Sequence, residues 1–287
     1  MPRFCNVKSY VDREKDALRI RIDKLQDLYS LIRPTVEVVQ FGSDPASNSY
    51  ILGKKRDCKE VGIGIIHTII EDDADEAKLA ELTRIATCPI IFQLPIDGFS
   101  NNDAVNIIAK NINPRLDVDG FTYASSECPV YPCTPSGIID YVDHCGFEIE
   151  GMNVIIFGRG PLVGMPLASI FAMNDATVTL VHSKSKINSY PTLGENDLLV
   201  TATNQVESFD DRALSMIDPM NVIDVGLGRS SDGSLRGNIS RVIVDCYRRL
   251  DRNILSGVGG VGLLTRLAFL KNVCACWYGD SWNLEEA

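Results

Sequence analysis

Two residues near the start of the chain are of types that could act on an aromatic ligand. Tyr50 and Lys54 lie four positions apart in a segment, residues 47–54, that is compatible with a helix. Residues i and i+4 share one face of a helix, so the phenol ring and the ammonium group can meet the same ligand. A flat ring beside an amine could grip an aromatic substrate and move a proton on it. The pair alone is a weak signal, because a solvated helix lysine would explain it better.

A second segment with chemical potential runs from Gly158 to Gly164 and reads Gly-Arg-Gly-Pro-Leu-Val-Gly. It lies between a short apolar stretch and a predicted helix, where a dinucleotide-binding fold places its phosphate loop. Glycines there allow a tight turn and close approach of the backbone to a pyrophosphate, although the spacing is G-x-G-x-x-x-G rather than G-x-G-x-x-G. A tight strand–helix turn without a ligand stays open as the alternative.

The segment after the next predicted strand indicates which dinucleotide would bind. A site for NAD usually offers a carboxylate to the ribose about 20 residues after the loop. Here the strand runs into His182-Ser183-Lys184-Ser185, which contains no carboxylate. Hydroxyls, an imidazole and a lysine would accept a 2′-phosphate, and Arg159 could add a second cationic contact. The sequence therefore favours NADP over NAD, with a strand-end polar residue as the alternative role for His182.

Strands and helices alternate along the chain, which predicts an α/β fold with a mainly parallel sheet. In the first half, the hydrophobic pattern predicts helices over 11–32, around Tyr50 and Lys54 to about 61, 73–86 and 102–111, and strands over 36–41, 63–70 and 89–94. In the second half it predicts helices over 135–144, 163–173 and 263–273, strands over 153–157, 177–181, 198–201 and 222–225, and a strand or short element near 242–246.

Composition limits the classes of protein and partner. The chain has 287 residues, which favours two domains. A net charge of −10 argues against binding to nucleic acid or to an anionic membrane surface. Nine cysteines, an odd number without a CxxC motif, indicate reduced buried thiols in a cytoplasmic protein, with no metal site. The start of the chain has no apolar signal-peptide core, and the longest apolar stretch, 61–70, is too short to span a bilayer.

Eight short segments occur together in one order over residues 46–265. They are Ala46-Ser47-x-x-Tyr50-x-x-x-Lys54, Gln93-Leu94-Pro95, Asp117-Val118-Asp119-Gly120-Phe121, Pro132-Cys133-Thr134-Pro135-x-Gly137, Gly158-Arg159-x-x-x-Val163-Gly164-x-Pro166, Ala176-Thr177-Val178-Thr179 with His182-Ser183, Asp224-Val225-Gly226, and Gly259-Gly260-Val261-Gly262 with Thr265. In these segments the chain resembles the methylenetetrahydrofolate dehydrogenase/cyclohydrolase family. Any one segment is weak, but eight in register are very specific.

The resemblance implies a fold and a reaction. Residues 1–137, completed by a C-terminal helix over 264–287, would form an α/β catalytic domain. Residues 138–263 would form a Rossmann-type NAD(P)-binding domain, with folate in the cleft between the two. The implied activity is NADP-dependent oxidation of 5,10-methylenetetrahydrofolate to the methenyl compound, followed by hydrolysis to 10-formyltetrahydrofolate. The resemblance also implies a homodimer.

The resemblance assigns roles to individual residues, and their chemistry fits those roles. Lys54 would transfer the proton, Tyr50 would stack on the folate rings, Gln93 would hydrogen-bond Lys54 or substrate, and Asp119 would accept the pterin N–H groups. The remaining expected folate contacts are Leu94, Pro95, Gly259, Gly260 and Thr265. The expected cofactor contacts are Gly158, Arg159, Gly160, Val163, Gly164, His182 and Ser183.

The chain departs from the family pattern in four places. Residues 255–265 lack three of the usual prolines, which gives the loop more freedom to lose on binding. The 122–131 connection is short, Gly160 replaces a serine, and Ile96-Asp97 follows the Gln-Leu-Pro segment. Two alternatives therefore stay open: a dehydrogenase with little cyclohydrolase activity, and a catalytically weak regulatory protein that binds folate or nucleotide. Because Lys54 and Gln93 are both present, the bifunctional enzyme is favoured.

Overall fold

The computed structural model describes residues 2–71, 74–186, 189–209, 211–230 and 233–283. The chain divides into two compact units. We call Val11–Cys133 with the chain from Arg266 onward the first unit, and Thr134–Thr265 with the chain up to Tyr10 the second unit. The domain limits predicted from the sequence stay a prediction; they differ from the units chiefly in placing the first ten residues with residues 11–133. The predicted start of the helix over 73–86 and the predicted end of the helix over 264–287 lie outside the described residues.

The first part of the chain alternates helices and strands as predicted. Its elements are α1 (Val7–Tyr29), β1 (Thr35–Phe41), α2 (Pro45–Val61), β2 (Gly64–Ile70), α3 (Glu76–Arg84), β3 (Ile90–Phe92), α4 (Asn101–Asn111) and a 3₁₀ turn at Pro114–Leu116. The three strands form one parallel sheet in the order β2-β1-β3.

The later part of the chain adds a larger sheet. Its elements are α5 (Cys133–His144), β4 (Asn153–Phe157), α6 (Gly164–Met173), β5 (Thr177–Val181), β6 (Leu198–Thr201), α7 (Asp211–Ile217), β7 (Asn221–Asp224), β8 (Gly228–Arg229), β9 (Leu235–Arg236), α8 (Arg241–Arg249), β10 (Asn253–Ser256), a π-helical turn at Gly257–Val261, α9 (Gly262–Tyr278) and a 3₁₀ turn at Gly279–Asn283. Five of these strands form a parallel sheet in the order β10-β7-β6-β4-β5, so the predicted α/β class with parallel sheets is confirmed.

The start of α2 is fixed locally, and this sets where Tyr50 and Lys54 point. Asp44 caps the start, since its side chain accepts a hydrogen bond of 2.7 Å from the Ser47 N–H, and Pro45 occupies the first turn. The apolar face buries Ile51 and Cys58 in the same cluster as Val36 and Val38 of β1. The helix is therefore held against the sheet with Lys54 on its inner side.

The register of β3 on β1 places Gln93 beneath α2. Val39 pairs with Phe92, and the Gln93 N–H donates to the Val39 carbonyl at 2.8 Å. Side chains alternate across a strand, so Gln93 lies on the same face as Ile91, which packs in the cluster with Ile51 of α2. Gln93 thus faces α2 at the carboxyl end of the sheet.

The helix α8 occupies the segment near 242–246 for which the sequence predicted a strand or short element. Residues 242–246 belong to α8, and the β-branched run Val242–Val244 does not form a strand. Ser240 caps the helix by accepting from the Ile243 N–H at 3.4 Å, and Ile243, Val244 and Tyr247 are buried at helical spacing. The sequence missed α7, the β8–β9 hairpin and β10, which forms an edge of the five-stranded sheet.

No helix among the described residues is both long and apolar enough to cross a membrane.

The loop after β4 generates a prediction about stability. Gly158 has a φ of 111°, and a Cβ there would lie 2.1 Å from the Ala202 carbonyl oxygen. We expect Gly158→Ala to lower the free energy of unfolding by about 2–4 kcal/mol through backbone strain and overlap. Gly160→Ala is the matched control, because a Cβ at Gly160 meets nothing within 4 Å. Urea unfolding measures both; equal effects of the two changes would contradict the strain argument.

Candidate active site

Lys54 is buried and its amine is held by a neutral side chain. The residue is 4% exposed, and Nζ donates to Gln93 Oε1 at 3.2 Å. Gln93 Nε2 in turn donates to the Leu94 carbonyl at 2.8 Å, which directs the amide oxygen towards Lys54. A carboxylate in place of Gln93 would stabilise the ammonium form, whereas an amide orients the amine with less stabilisation of its charge.

The surroundings of Lys54 favour its neutral form. Burial lowers the pKa of Lys54 from its ordinary value, and this effect is opposed chiefly by the negative charge of Asp119. Two aromatic rings flank the amine, with centroids 5.3 Å away for Tyr50 and 5.1 Å away for Phe269. A lowered pKa increases the fraction of the amine that is unprotonated at a given pH, and only that fraction can act as a base.

Tyr50 places its ring beside this amine. The side chain is half-buried, and burial raises the pKa of the phenol, so the hydroxyl stays protonated at neutral pH. The contact with Lys54 has the geometry predicted from their spacing of four residues on α2. The half-buried ring is available to stack on a flat ligand.

Asp119 is the acidic group whose charge affects the pKa of Lys54 most strongly. It is half-buried, and burial raises its pKa to about 7, against the opposing effect of Lys54 and with a further increase from Asp117. A carboxyl group that titrates near neutral pH can accept or donate a hydrogen bond to a polar ligand edge.

A tightly bonded turn positions Asp119. Asp117 is 1% exposed and accepts from the Gly120 N–H at 3.0 Å, the Thr122 N–H at 2.7 Å and the Thr122 hydroxyl at 2.8 Å. Gly120 has a φ of 69°, and a Cβ there would lie 2.6 Å from the carbonyl carbon of Tyr131. Only glycine fits this turn without distortion.

Asn272 of α9 fastens the same turn and was not singled out from the sequence. Its Nδ2 donates to the carbonyls of Val118 and Tyr131, each at 2.9 Å. Cys133 adds a weak bond from Sγ to the Val118 carbonyl at 3.4 Å. No sequence signal identified Asn272, because its partners lie far away along the chain.

The glycine loop of the second unit matches a phosphate cradle. It follows β4 directly, with the Gly158 N–H bonded to the Val181 carbonyl at 2.8 Å. A Cβ at Gly164 would lie 2.1 Å from the Gly158 carbonyl oxygen, so the first turn of α6 packs closely on the loop. Arg159 and Gly160 are exposed, and Val163 immediately precedes α6. The backbone here is open to a pyrophosphate at a helix start.

The turn after β5 presents polar groups. The Lys184 N–H donates to His182 Nδ1 at 3.1 Å, so the other ring nitrogen carries the proton in the neutral imidazole. The His182 N–H donates to Ser185 Oγ at 3.0 Å. Ser183 and Lys184 are exposed. These groups fit a phosphate ester on a ribose, and no carboxylate lies in this turn.

The remaining predicted folate contacts are divided between the units. Leu94 is half-buried and Pro95 exposed, directly after Gln93 in the first unit. Gly259 and Gly260 lie in the π-helical turn of the second unit. Thr265, in the first turn of α9, belongs to the same unit. Thr265 Oγ1 bonds the Val261 carbonyl at 3.0 Å and lies 3.0 Å from Thr134 Oγ1. The structure therefore brings Tyr50, Lys54, Gln93 and Asp119 together within the first unit.

Comparison with known proteins gives consistent matches over most of the chain. Residues 132–280 match the NAD(P)-binding domain of tetrahydrofolate dehydrogenase/cyclohydrolase, and residues 6–119 match its catalytic domain. The chain is 33% identical to bifunctional protein FolD 2 of Frankia alni, covering 91% of this chain and 93% of that protein. It is 31% identical to bifunctional protein FolD of Campylobacter concisus, covering 90% and 91%.

Solved structures show the same fold. The crystal structure of bifunctional FolD methylenetetrahydrofolate dehydrogenase/cyclohydrolase from Campylobacter jejuni matches with a TM-score of 0.76 at 26% identity, covering 93% of this chain and 95% of that one. The fold and the sequence matches together define a two-domain α/β protein with a dinucleotide-binding unit. The chain belongs to the tetrahydrofolate dehydrogenase/cyclohydrolase family.

The raised pKa of Asp119 generates a prediction about the pH dependence of stability. Between about pH 4 and about pH 7 the folded protein keeps a proton that the unfolded chain has lost, since an ordinary aspartate titrates near 4. This group therefore lowers the free energy of unfolding as the pH rises through that range. From pH 4.5 to pH 7.5 we expect the free energy of unfolding of Asp119→Asn to rise relative to that of the parent protein by on the order of 1 kcal/mol. The expected difference is this small because solvent screens a half-buried carboxylate.

Urea unfolding at several pH values provides the measurement. Asp97→Asn, a change at an exposed carboxylate, should follow the parent protein across the range. Parallel curves for Asp119→Asn and the parent protein would show that the pKa of Asp119 is not raised on folding.

Proposed function

We propose that this protein oxidises 5,10-methylenetetrahydrofolate with NADP and then hydrolyses the methenyl product to 10-formyltetrahydrofolate. The observation that carries the proposal is the buried Lys54 amine, bonded to the neutral Gln93 amide and flanked by Tyr50 and Asp119. Both relatives named above are called bifunctional, and the chain aligns with them over nine-tenths of its length. The pairing of a catalytic and an NAD(P)-binding family domain supports the two activities together.

Hydrolysis needs a base beside a cationic carbon. The methenyl carbon joins two nitrogens and carries positive charge, so water can add to it once a proton is removed. Neutral Lys54 accepts that proton as the C–O bond forms and returns one to the departing ring nitrogen as the C–N bond breaks. The hydroxyl of the adduct then loses its proton to solvent as the formyl C=O forms, so the hydrolysis releases one proton overall. The cationic substrate lowers the pKa of Lys54 further, because like charges at short range disfavour the ammonium form.

Gln93, Tyr50 and Asp119 set the position of the substrate. Gln93 orients the Lys54 amine and can bond the attacking water. Tyr50 stacks on the flat folate rings. Asp119, on its turn beside Lys54, accepts the N–H groups of the pterin edge. Leu94, Pro95, Gly259, Gly260 and Thr265 complete the proposed folate contacts.

The second unit is proposed to hold NADP. NADP supplies the acceptor for the substrate hydride when it is bound. The backbone of Gly158, Gly160, Val163 and Gly164 would hold the pyrophosphate at the start of α6. Exposed Arg159 and Ser183, with half-buried His182, would hold the 2′-phosphate. No protein base is needed for hydride transfer, so this step depends mostly on positioning.

The proposal extends to the setting of the enzyme. We place it in the cytoplasm as a homodimer, with folate as its small-molecule partner. The nine cysteines of the sequence are consistent with a reducing compartment. In the structure Cys58, Cys133, Cys274 and Cys276 are buried free thiols.

One assay tests the function directly. Purified protein is mixed with methylenetetrahydrofolate and either NADP or NAD, and the reduced cofactor and the methenyl chromophore are followed by absorbance. We expect NADPH to form, with faster turnover on NADP than on NAD and no lasting accumulation of methenyltetrahydrofolate. Persistent methenyl accumulation would instead indicate a dehydrogenase with little cyclohydrolase activity. Absence of reduced cofactor with both dinucleotides would contradict the proposal.

The role of Lys54 has its own prediction. Lys54→Met keeps a similar volume but removes the amine, so hydrolysis of added methenyltetrahydrofolate should fall by at least about a hundredfold, the usual contribution of a general base. Lys59→Met, a change at an exposed lysine of the same helix, is the matched control and should retain parental hydrolysis. Parental rates in Lys54→Met would remove Lys54 from the mechanism.

A further inference from the structure

Arg266 is a cation near the candidate site that the proposed mechanism does not use. It lies in α9, and its side chain is 17% exposed. Its Nε lies 2.6 Å from Asp57 Oδ2, and Asp57, on α2, is 1% exposed. Among the described residues, Asp57 is the one acidic group in ion-pair contact with Arg266. A mostly buried arginine is therefore fixed against the helix that carries Tyr50 and Lys54.

The side chain of Arg266 lies over Gly53. A Cβ at Gly53 would be 3.0 Å from Nη1 and 3.4 Å from both Cδ and Cζ of Arg266. A glycine on a buried helix face costs about 1 kcal/mol relative to alanine. Here it provides the space in which the guanidinium runs along α2, from Asp57 towards the preceding turn.

Gly53, under the Arg266 side chain, and Lys54 flank Tyr50 on α2, one on each side. From Tyr50, three residues to Gly53 turn the helix by about 300° and four residues to Lys54 by about 400°, so the two positions flank the tyrosine. The charge interactions agree with this placement. The positive charge of Arg266 acts on the phenol of Tyr50, whereas Asp119 acts on both Tyr50 and Lys54.

Asp57 does not neutralise Arg266 alone. Lys15 Nζ also lies on Asp57, 2.7 Å from Oδ1, and Arg56 Nε lies 3.9 Å from the same oxygen, so one carboxylate is shared among three cations. Lys15 Nζ also lies 2.9 Å from Oε2 of the exposed Glu60. The guanidinium therefore keeps the capacity to bind a further carboxylate, which its fork of N–H groups recognises in a bidentate geometry.

We infer that Arg266 binds a carboxylate of the glutamate tail of the folate substrate. This inference rests on the proposed function. A folate consists of a pterin, an aminobenzoyl ring and a glutamate in that order. With the pterin edge at Asp119 and the reacting carbon at Lys54, the aminobenzoyl ring crosses Tyr50 and the tail emerges on the Gly53 side. Arg266 is a cation in place there.

The test compares two ligands that differ only in the tail. Tetrahydrofolate carries the glutamate, and tetrahydropteroate ends at the aminobenzoate. Dissociation constants for both are measured by calorimetry under anaerobic conditions. We expect the parent protein to bind tetrahydrofolate at least about tenfold more tightly, as a charge-assisted bidentate pair would give. Arg266→Met should bring the ratio of the two constants to within about twofold of one, and Arg266→Lys should keep part of the preference.

Two further variants guard the interpretation. Arg56→Met removes an exposed arginine whose Nε lies 3.9 Å from the same Asp57 carboxylate, and it should keep the parental ratio. If Arg266→Met fails to fold because Asp57 loses a partner, the double variant Asp57→Asn/Arg266→Met removes both charges and should show the same lost preference. Urea unfolding establishes that each variant is folded.

The outcomes separate this inference from the proposed function. Turnover of methenyltetrahydrofolate by the parent protein tests the function, while the binding ratio requires no turnover. An active parent enzyme without preference for tetrahydrofolate, or an Arg266→Met variant that keeps the parental ratio, would overturn the role of Arg266 alone. A parent protein that binds neither ligand would overturn both.

Discussion

The contact between the Lys54 amine and the Gln93 amide is the interaction on which the candidate site depends. The amine is removed from water, which disfavours its charge, and its hydrogen-bond partner is neutral. A buried lysine paired to a carboxylate would instead be locked as an ion pair and would be a poor base. The negative charge of Asp119 moderates the depression of the pKa without reversing it.

Three separate parts of the fold keep this contact in place. Asp44 caps α2 and fixes the start of the helix, and the pairing of β3 with β1 fixes Gln93 beneath it. Asp117 and Asn272 hold the turn that carries Asp119. Each uses hydrogen bonds that are at least partly buried, which are costly to leave unmade and therefore specify one arrangement. The catalytic side chains are thus positioned by residues that do no chemistry.

The sequence predicted those features that depend on local spacing. Tyr50 and Lys54 share a helix face because they are four residues apart, and the glycine loop follows a strand because its pattern is local. The contact of Gln93 with Lys54 depends on the register of β3. The two hydrogen bonds of Asn272 go to partners that precede it in the chain by 154 and 141 positions. Neither has a local signal. The β-branched run of α8 favoured a strand, but capping by Ser240 and burial of Tyr247 determined a helix.

Direct titration of Lys54 tests the central claim, that a buried and neutral-paired amine performs the proton transfer. The protein is labelled with ¹³C at the lysine side chains, and the Lys54 signal is assigned by its loss in Lys54→Arg. The account predicts a midpoint clearly below the ordinary lysine value of about 10.4. A midpoint at or above that value would show that Lys54 is an ordinary ammonium group, and the proposed base would have to be another residue.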